Sequence, residues 1–299
     1  MGSVIQFYFT TAVLLAPLVV CGLVGAVWAK RDLPYSGPFV TILVTSVTTP
    51  SLVFYTLVTT PLDNQLLAEM FGASIMALTV CALLCAGVLK LWGQPVRKLL
   101  PTAWMPNAGN LGIPMSQLAF GDAGLPVAVA FFAVSSFSQH TVGVRILTGG
   151  SSLAALRNPV LLACLAAVVV RVTGLPVPAP ILSSTALLGS VTVPLMLISL
   201  GHALALIPSS GLKVGSGVAV LRLGAGLFSG VLVAWAFGLD PALAGALILQ
   251  MAMPCAVVSF MYARRFTDLG DTSAGAVLVS TALFLLLAPL LIWLSRAGA

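Results

Sequence analysis

Charge is what this sequence lacks. Its 299 residues hold 13 Lys and Arg, seven Asp and Glu and two His, so 7% of the side chains are charged while 60% are hydrophobic, and mean hydropathy is +1.13. A chain of this composition has too little polar surface to cover a water-soluble core, so most side chains must face lipid or one another. The scarcity excludes catalytic classes as well. No HExxH helix is present, and Asp32, Asp63, Glu69, Asp122, Asp240, Asp268 and Asp271 all fall at segment ends or in turns, so no aspartate pair stands inside an apolar run. "DLGD" at 268–271 is a loop, and "LFSG" at 227–230 lacks the glycine two before Ser229 that an intramembrane serine protease needs. No enzyme is expected. The formal charge of +6 comes from basic residues dispersed among short loops rather than gathered into a patch, which argues against nucleic acid as a partner. The five cysteines (Cys21, Cys81, Cys85, Cys164, Cys255) all lie in apolar runs and read as small hydrophobes. Cys81 and Cys85 share a helical face, but no His or acid joins them, so no metal and no cofactor is expected.

What the sequence has is long apolar runs. A membrane helix needs about 20 apolar residues, and ten segments qualify: 4–29, 36–60, 66–91, 95–121, 123–147, 158–173, 179–206, 211–237, 241–265 and 270–295. The N-terminal segment lacks the basic start of a signal peptide and is long enough to stay as a span. Turns such as "TTPLDN", "GQPVRK", "TGLPVPAP" and "GLDPA" separate the segments, and no linker is long enough for a further soluble domain. Lys30, Arg31, Lys90, Arg97, Lys98, Arg145, Arg157, Lys213, Arg222, Arg264 and Arg265 fall near one set of alternate ends, with only Arg171 and Arg296 at the other. Positive charge favours the cytoplasm, so both termini are expected on the non-cytoplasmic side of a cell (inner) membrane.

The segments repeat. "SVTTP" at 46–50 in the second returns as "SVTVP" at 190–194 in the seventh, and Met105–Pro106 in the fourth returns as Met253–Pro254 in the ninth. Matches five spans apart place the two copies in opposite orientations, which predicts inverted repeats over 1–148 and 158–299 joined by a cytoplasmic linker at 149–157. Pro106 and Pro254 each break a helix where hydrocarbon tolerates no bare backbone, so the breaks must line a cavity inside the protein. Each break also starts a half-helix whose N-terminus carries about half a positive charge and unpaired N–H groups, a site suited to a carboxylate. Asn107 and Asn110 can cap that half-helix or donate to the anion.

These residues carry a family resemblance. "WMPNAGNLGIPMSQLAFGDAGLPVAVAFF" resembles the fourth-span signature of the auxin efflux carrier family, the bacterial relatives of plant PIN-type auxin carriers, and "MAMPCAVVSFMYARRF" resembles its ninth-span motif. "FYFTTAVLLAPLVVCGLVG", "TTPSLVFYTL" and "RNP" at 157–159 are similar too. The resemblance implies an all-α polytopic membrane protein of ten helices in two inverted five-helix repeats, with broken helices 4 and 9 crossing as in the bile-acid sodium symporter fold. It implies a secondary transporter of small organic anions, working by alternating access, with Pro106 and Pro254 at the crossing and Asn107 beside the substrate carboxylate.

Around that crossing, Gly109, Thr49, Gln250 and Cys255 are further candidates for the substrate site. Gln139, Ser138, His140, Ser135, Thr192 and Asn158 are candidates for cavity lining or ion coupling. Each has a plainer reading. Intramembrane amides bridge neighbouring helices, mid-helix Ser and Thr bond back to their own carbonyls, and Asn158 before Pro159 is an ordinary N-cap. His140 is the one candidate proton carrier, since no carboxylate lies at mid-membrane. An inside-negative potential drives each anionic charge outward by about 2.3 kcal/mol per 100 mV, which is roughly 50-fold accumulation outside. Export therefore needs no coupled ion. The alternatives are a sodium- or proton-coupled organic-acid symporter and a non-transporting ligand-binding membrane receptor of the same fold. Sodium, the proton and a second copy of the chain stay open as partners.

Overall fold

In a computed structural model of the chain, residues 2–59, 64–149, 159–206 and 211–297 are described. They are helical nearly throughout, with no strand among them. Helix α1 is Gly2–Lys30, α2 Gly37–Leu43, α3 Thr49–Thr59, α4 Asn64–Leu91, α5 Val96–Trp104, α6 Ile113–Ser138 and α7 Val144–Thr148. The second half holds α8 Pro159–Thr173, α9 Ala179–Ser190, α10 Thr192–Ala205, α11 Leu212–Phe237, α12 Pro241–Met251, α13 Val257–Phe266 and α14 Gly270–Ala297. Single π-helical turns at Val44–Thr48, Ala108–Gly112 and Gln139–Gly143 join α2 to α3, lead into α6 and join α6 to α7. Among the described residues six stretches are long and apolar enough to cross a membrane: Gly37–Thr59, Asn64–Leu91, Gly124–Thr148, Ala179–Ser199, Leu212–Phe237 and Gly270–Ile292. The architecture is that of an all-helical, multi-pass membrane protein.

The breaks follow from local chemistry. Pro50 and Pro194 have no N–H to offer the carbonyls of Ser46 and Ser190 four residues earlier. The chain answers with a π turn ahead of the first and a helix break at Val191 ahead of the second. The seventh apolar segment, expected as one helix over 179–206, is thus two. Gly121, at φ 59° and ψ −143°, bends the chain sharply inside α6 and separates its two halves. Only glycine adopts such a backbone without strain.

The helices pack in two groups. In one, α1 lies along α10, and α3 lies against α8 and α9. In the other, α11 is central and touches α4, α5, α12 and α14, while α6 fills the space against α4 and α12. The groups meet where α3 and α8 touch α6 and where α10 touches the 108–112 turn. Leu99, Met105, Ile113, Met115, Phe131, Leu247 and Phe284 are fully buried in the second group's core.

One charge is not where the loop pattern puts it. Arg222, assigned above to the cytoplasmic ends, stands inside α11 and is fully buried. The loop pattern therefore counts ten basic residues rather than eleven. Of the candidate residues, Asn158 and most of the 149–157 linker lie outside the described residues, as do the side chains of Asn110 and His140.

Candidate functional site

The half-helices α5 and α12 run for only 9 and 11 residues. At 1.5 Å per residue these are rods of about 14 and 16 Å, half the ~30 Å thickness of a bilayer's hydrocarbon. The chain after each is extended, with Met105 at φ −81°, ψ 120° and Ala256 at φ −68°, ψ 133°. These two extended pieces pair with each other. Asn107 N–H donates to the Pro254 carbonyl at 2.7 Å, and Ala256 N–H donates to the Met105 carbonyl at 3.0 Å, flanking an isolated antiparallel bridge between Pro106 and Cys255. Cys255 N–H donates in turn to Ser280 Oγ on α14 at 3.0 Å. Backbone groups that two broken helices would leave bare in hydrocarbon thus satisfy one another.

The bridge sets Pro106 against Cys255 rather than against Pro254, the residue it matches in the repeat. The local two-fold then maps Asn107 onto Ala256. Asn107 thus puts an amide side chain at the crossing on the α6 side, where the other strand has the methyl of Ala256.

Beyond the pairing, each chain re-enters a helix. The Asn107 carbonyl accepts from Leu111 N–H at 3.3 Å and Gly112 N–H at 3.1 Å, opening the π turn that leads into α6. The Ala256 carbonyl accepts from Ser259 N–H at 3.0 Å and Ser259 Oγ at 2.6 Å, opening α13. Helix starts of this kind leave their first N–H groups without intrahelical partners and carry partial positive charge. Among the described residues no acidic side chain is buried to neutralise them.

The opposite ends, the C-termini of α5 and α12, have a partner that sequence reasoning missed. Arg222 donates from Nη1 to the Trp104 carbonyl, from Nη2 to the Met251 carbonyl and from Nε to the Met253 carbonyl at 3.3 Å. Its Nη1 also lies 3.2 Å from Cys81 Sγ. Trp104 is held from its other side by its indole N–H, which donates to the Leu78 carbonyl at 2.7 Å. The signal was available: a charge at the eleventh residue of a 26-residue apolar helix lies at mid-membrane.

Several buried polar atoms have no partner among the described residues. They are Asn107 Nδ2, Gln250 Oε1, Gln139 Nε2 and the hydroxyls of Thr48, Thr49, Thr192 and Thr281. Burying such an atom unpaired costs about 1–3 kcal/mol, and sites with several of them are sites where a ligand or water completes the bonds. Thr49, Asn107, Gln139, Thr192 and Gln250 were candidates on sequence. Thr281 was not, because nothing distinguishes it from any mid-helix threonine. Gly109 and Thr192 share a neighbourhood. A Cβ at Gly109 would stand 3.3 Å from Met196 Cε, and Met196 lies one turn after Thr192 on the same face of α10. Of the other candidates, Ser135 Oγ donates to the Phe132 carbonyl at 3.1 Å, while Ser138 is only half-buried.

Gln250 bridges the two broken helices, its Nε2 donating to Ser116 Oγ at 3.1 Å. It fits because Gly112 has no side chain. A Cβ there would stand 2.9 Å from Gln250 Cδ. Gly112→Ala is expected to drive Gln250 from Ser116 and lower the unfolding midpoint by about 2–4 °C, the equivalent of one lost buried hydrogen bond. Adding Gln250→Ala should remove most of the penalty that Gly112→Ala carries, and additive losses in this cycle would show that the two do not meet.

Residues 144–292 match the model of a family described as membrane transport protein, which includes auxin efflux carrier and PIN-like proteins. The match takes in α12 and α13, the half-helices on either side of Pro254. No curated protein matches the chain significantly. The chain belongs to the membrane transport protein family, a family of transporters and not of enzymes.

Proposed function

We propose that this protein is a carrier of small organic anions, carboxylates above all, that binds its substrate at the crossing of the two broken helices and moves it by alternating access. One observation carries the reading. The reciprocal bonds between 105–107 and 254–256 bring two helix N-termini together beside Asn107, whose buried Nδ2 has no partner. A carboxylate there would accept from that amide and from the first N–H groups of the half-helices, and would meet partial positive charge. Donors fixed in place before the substrate arrives cost little to organise.

In this reading the ten apolar segments are ten spans in two inverted five-helix repeats, as in the bile-acid sodium symporter fold. The packing is consistent with it, since α4 and α11, the third spans of each repeat, lie together, and the first span of each half lies against the second span of the other. The group around α11 would move against the group of α1, α3, α8, α9 and α10, with Thr49 and Thr192 facing it across the seam. Both termini lie on the non-cytoplasmic face of a bacterial inner membrane, and the driving force for export is the membrane potential.

The test is a thermal-shift screen of mono- and dicarboxylates on purified protein, with and without sodium, followed by flux of the hits in proteoliposomes. Asn107→Ala should fold normally and bind the hit about 10- to 100-fold more weakly, as expected for one hydrogen bond to a charged group. Unchanged binding and flux in that variant would remove the substrate from the crossing. Binding without flux in the parent protein would make it a receptor of the same fold.

A further inference from the structure

Arg222 is the one charged side chain among the described residues that is buried. Among the described residues no carboxylate is buried with it, and beside the Cys81 thiol its partners are carbonyls: Trp104, the last residue of α5; Met251, the last of α12; and Met253 in the break beyond. Each half-helix C-terminus carries about half a negative charge, so two converging ends present about one. A guanidinium carries one positive charge, which matches that set in sign and size, and its planar N–H donors reach all three carbonyls. The space is cut to the group. Gly226 lies one turn after Arg222, and a Cβ there would run into Arg222 Nη2 and the Met251 carbonyl, standing 3.0 Å from Arg222 Cζ. Elsewhere in membrane transport, unwound carbonyls and half-helix C-terminal ends of this type are ligands for a monovalent cation.

We propose that Arg222 is a positioning residue acting as a tethered cation: it holds the ends of α5 and α12 together where a free monovalent cation would otherwise be needed, so that anion binding at the crossing does not depend on sodium. It does not touch the substrate. By fixing the two C-terminal ends it fixes the Pro106–Cys255 pairing two to four residues on, and with it the placement of Asn107. The transport part of this inference rests on the carrier reading, whereas the part concerning stability does not.

Chemical rescue tests it. The unfolding midpoint of Arg222→Ala, Arg222→Lys and Arg222→Met is compared in choline, sodium and low-millimolar guanidinium chloride, far below denaturing levels, and flux is measured under the same conditions. Parent protein should respond to neither sodium nor guanidinium. Arg222→Ala, which empties the site, should lose transport and melt earlier, and guanidinium should restore both. Restoration by sodium as well would support a cation site of broader selectivity. Arg222→Met fills the space without charge and should be restored by neither, and Arg222→Lys should fall between Met and the parent. Arg222→Met behaving as the parent would overturn the inference, as would a folded Arg222→Ala indifferent to every cation. Should Arg222→Ala fail to fold at all, Arg222→Lys decides: sodium-independent folding better than Arg222→Met supports the tethered cation, and no advantage over Arg222→Met rejects it. If the parent moves no anion, the carrier reading fails while guanidinium rescue of the midpoint still decides the role of Arg222.

Discussion

Gly201→Ala is expected to separate α1 from α10 and to destabilise the protein by about 3 kcal/mol, the upper range for forcing a methyl into a packed interface. The two helices touch backbone to backbone. A Cβ on Gly201 would overlap the Gly22 carbonyl, standing 2.6 Å from its carbon and 2.9 Å from Gly22 Cα. The contact is reciprocal, because a Cβ on Gly25 would overlap the Ile198 carbonyl and stand 2.9 Å from His202 N. Backbone cannot swing aside as a side chain can, so either substitution must push the helices apart. Glycine seams of this kind are how membrane helices gain close contact where the hydrophobic effect offers nothing. Next along α10, the Tyr35 hydroxyl donates to Ser199 Oγ at 2.9 Å and its ring stacks on His202 at 3.9 Å, so the same shift would undo both. Gly22→Ala is the internal control. Its Cβ would meet nothing within 4 Å, and alanine gains up to about 1 kcal/mol over glycine in a helix. Thermal unfolding of the three variants in one detergent checks the prediction, and a Gly201→Ala midpoint equal to that of the parent would mean that α1 and α10 do not touch here.

Asn107→Asp should make the protein slightly more stable while abolishing transport. Residue 107 stands at the N-cap of the turn into α6 and makes no capping bond as asparagine. An aspartate there keeps the capping acceptor that asparagine already has and gains a favourable end of the helix dipole, worth up to about 1 kcal/mol. That same carboxylate would then occupy the charge environment proposed for the substrate. Two like charges about 4 Å apart at an effective dielectric constant near 20 repel by roughly 4 kcal/mol, close to a 1,000-fold loss of affinity. The pairing of a raised midpoint with lost flux is what distinguishes a binding site from a structural asparagine, whose replacement would lower both. Undiminished flux of a carboxylate through Asn107→Asp would place the anion elsewhere.

Much of the fold was legible because its determinants are local. Apolar runs of membrane length marked where helices lie, and Pro106 and Pro254 marked where two of them stop, although Pro17, Pro101, Pro126 and Pro289 stand inside helices. What sequence could not supply were relations between distant segments. The register of the crossing depends on which carbonyl Asn107 N–H meets across more than 140 residues of chain, and a repeated "MP" does not say which. Arg222 was misread for a different reason. Counting charges by chain position treated it as a member of the loop population, although its place within α11 excluded that. The buried threonines divide the same way: Thr49 and Thr192 sit beside prolines that announce a break, whereas Thr281 sits in an unbroken helix and announces nothing.

The guanidinium between the half-helices also has an electrical consequence. If the group of helices that contains it shifts across the membrane in each cycle, it carries a permanent unit charge with it. Loaded with a monocarboxylate, that group is neutral, and an applied voltage does little to the outward half-cycle. Empty, it is cationic, and the field draws it back inward at up to about 2.3 kcal/mol per 100 mV. Net current per turnover is the same as for a neutral carrier, but polarisation would accelerate the recovery of the unloaded protein rather than the ejection of its cargo.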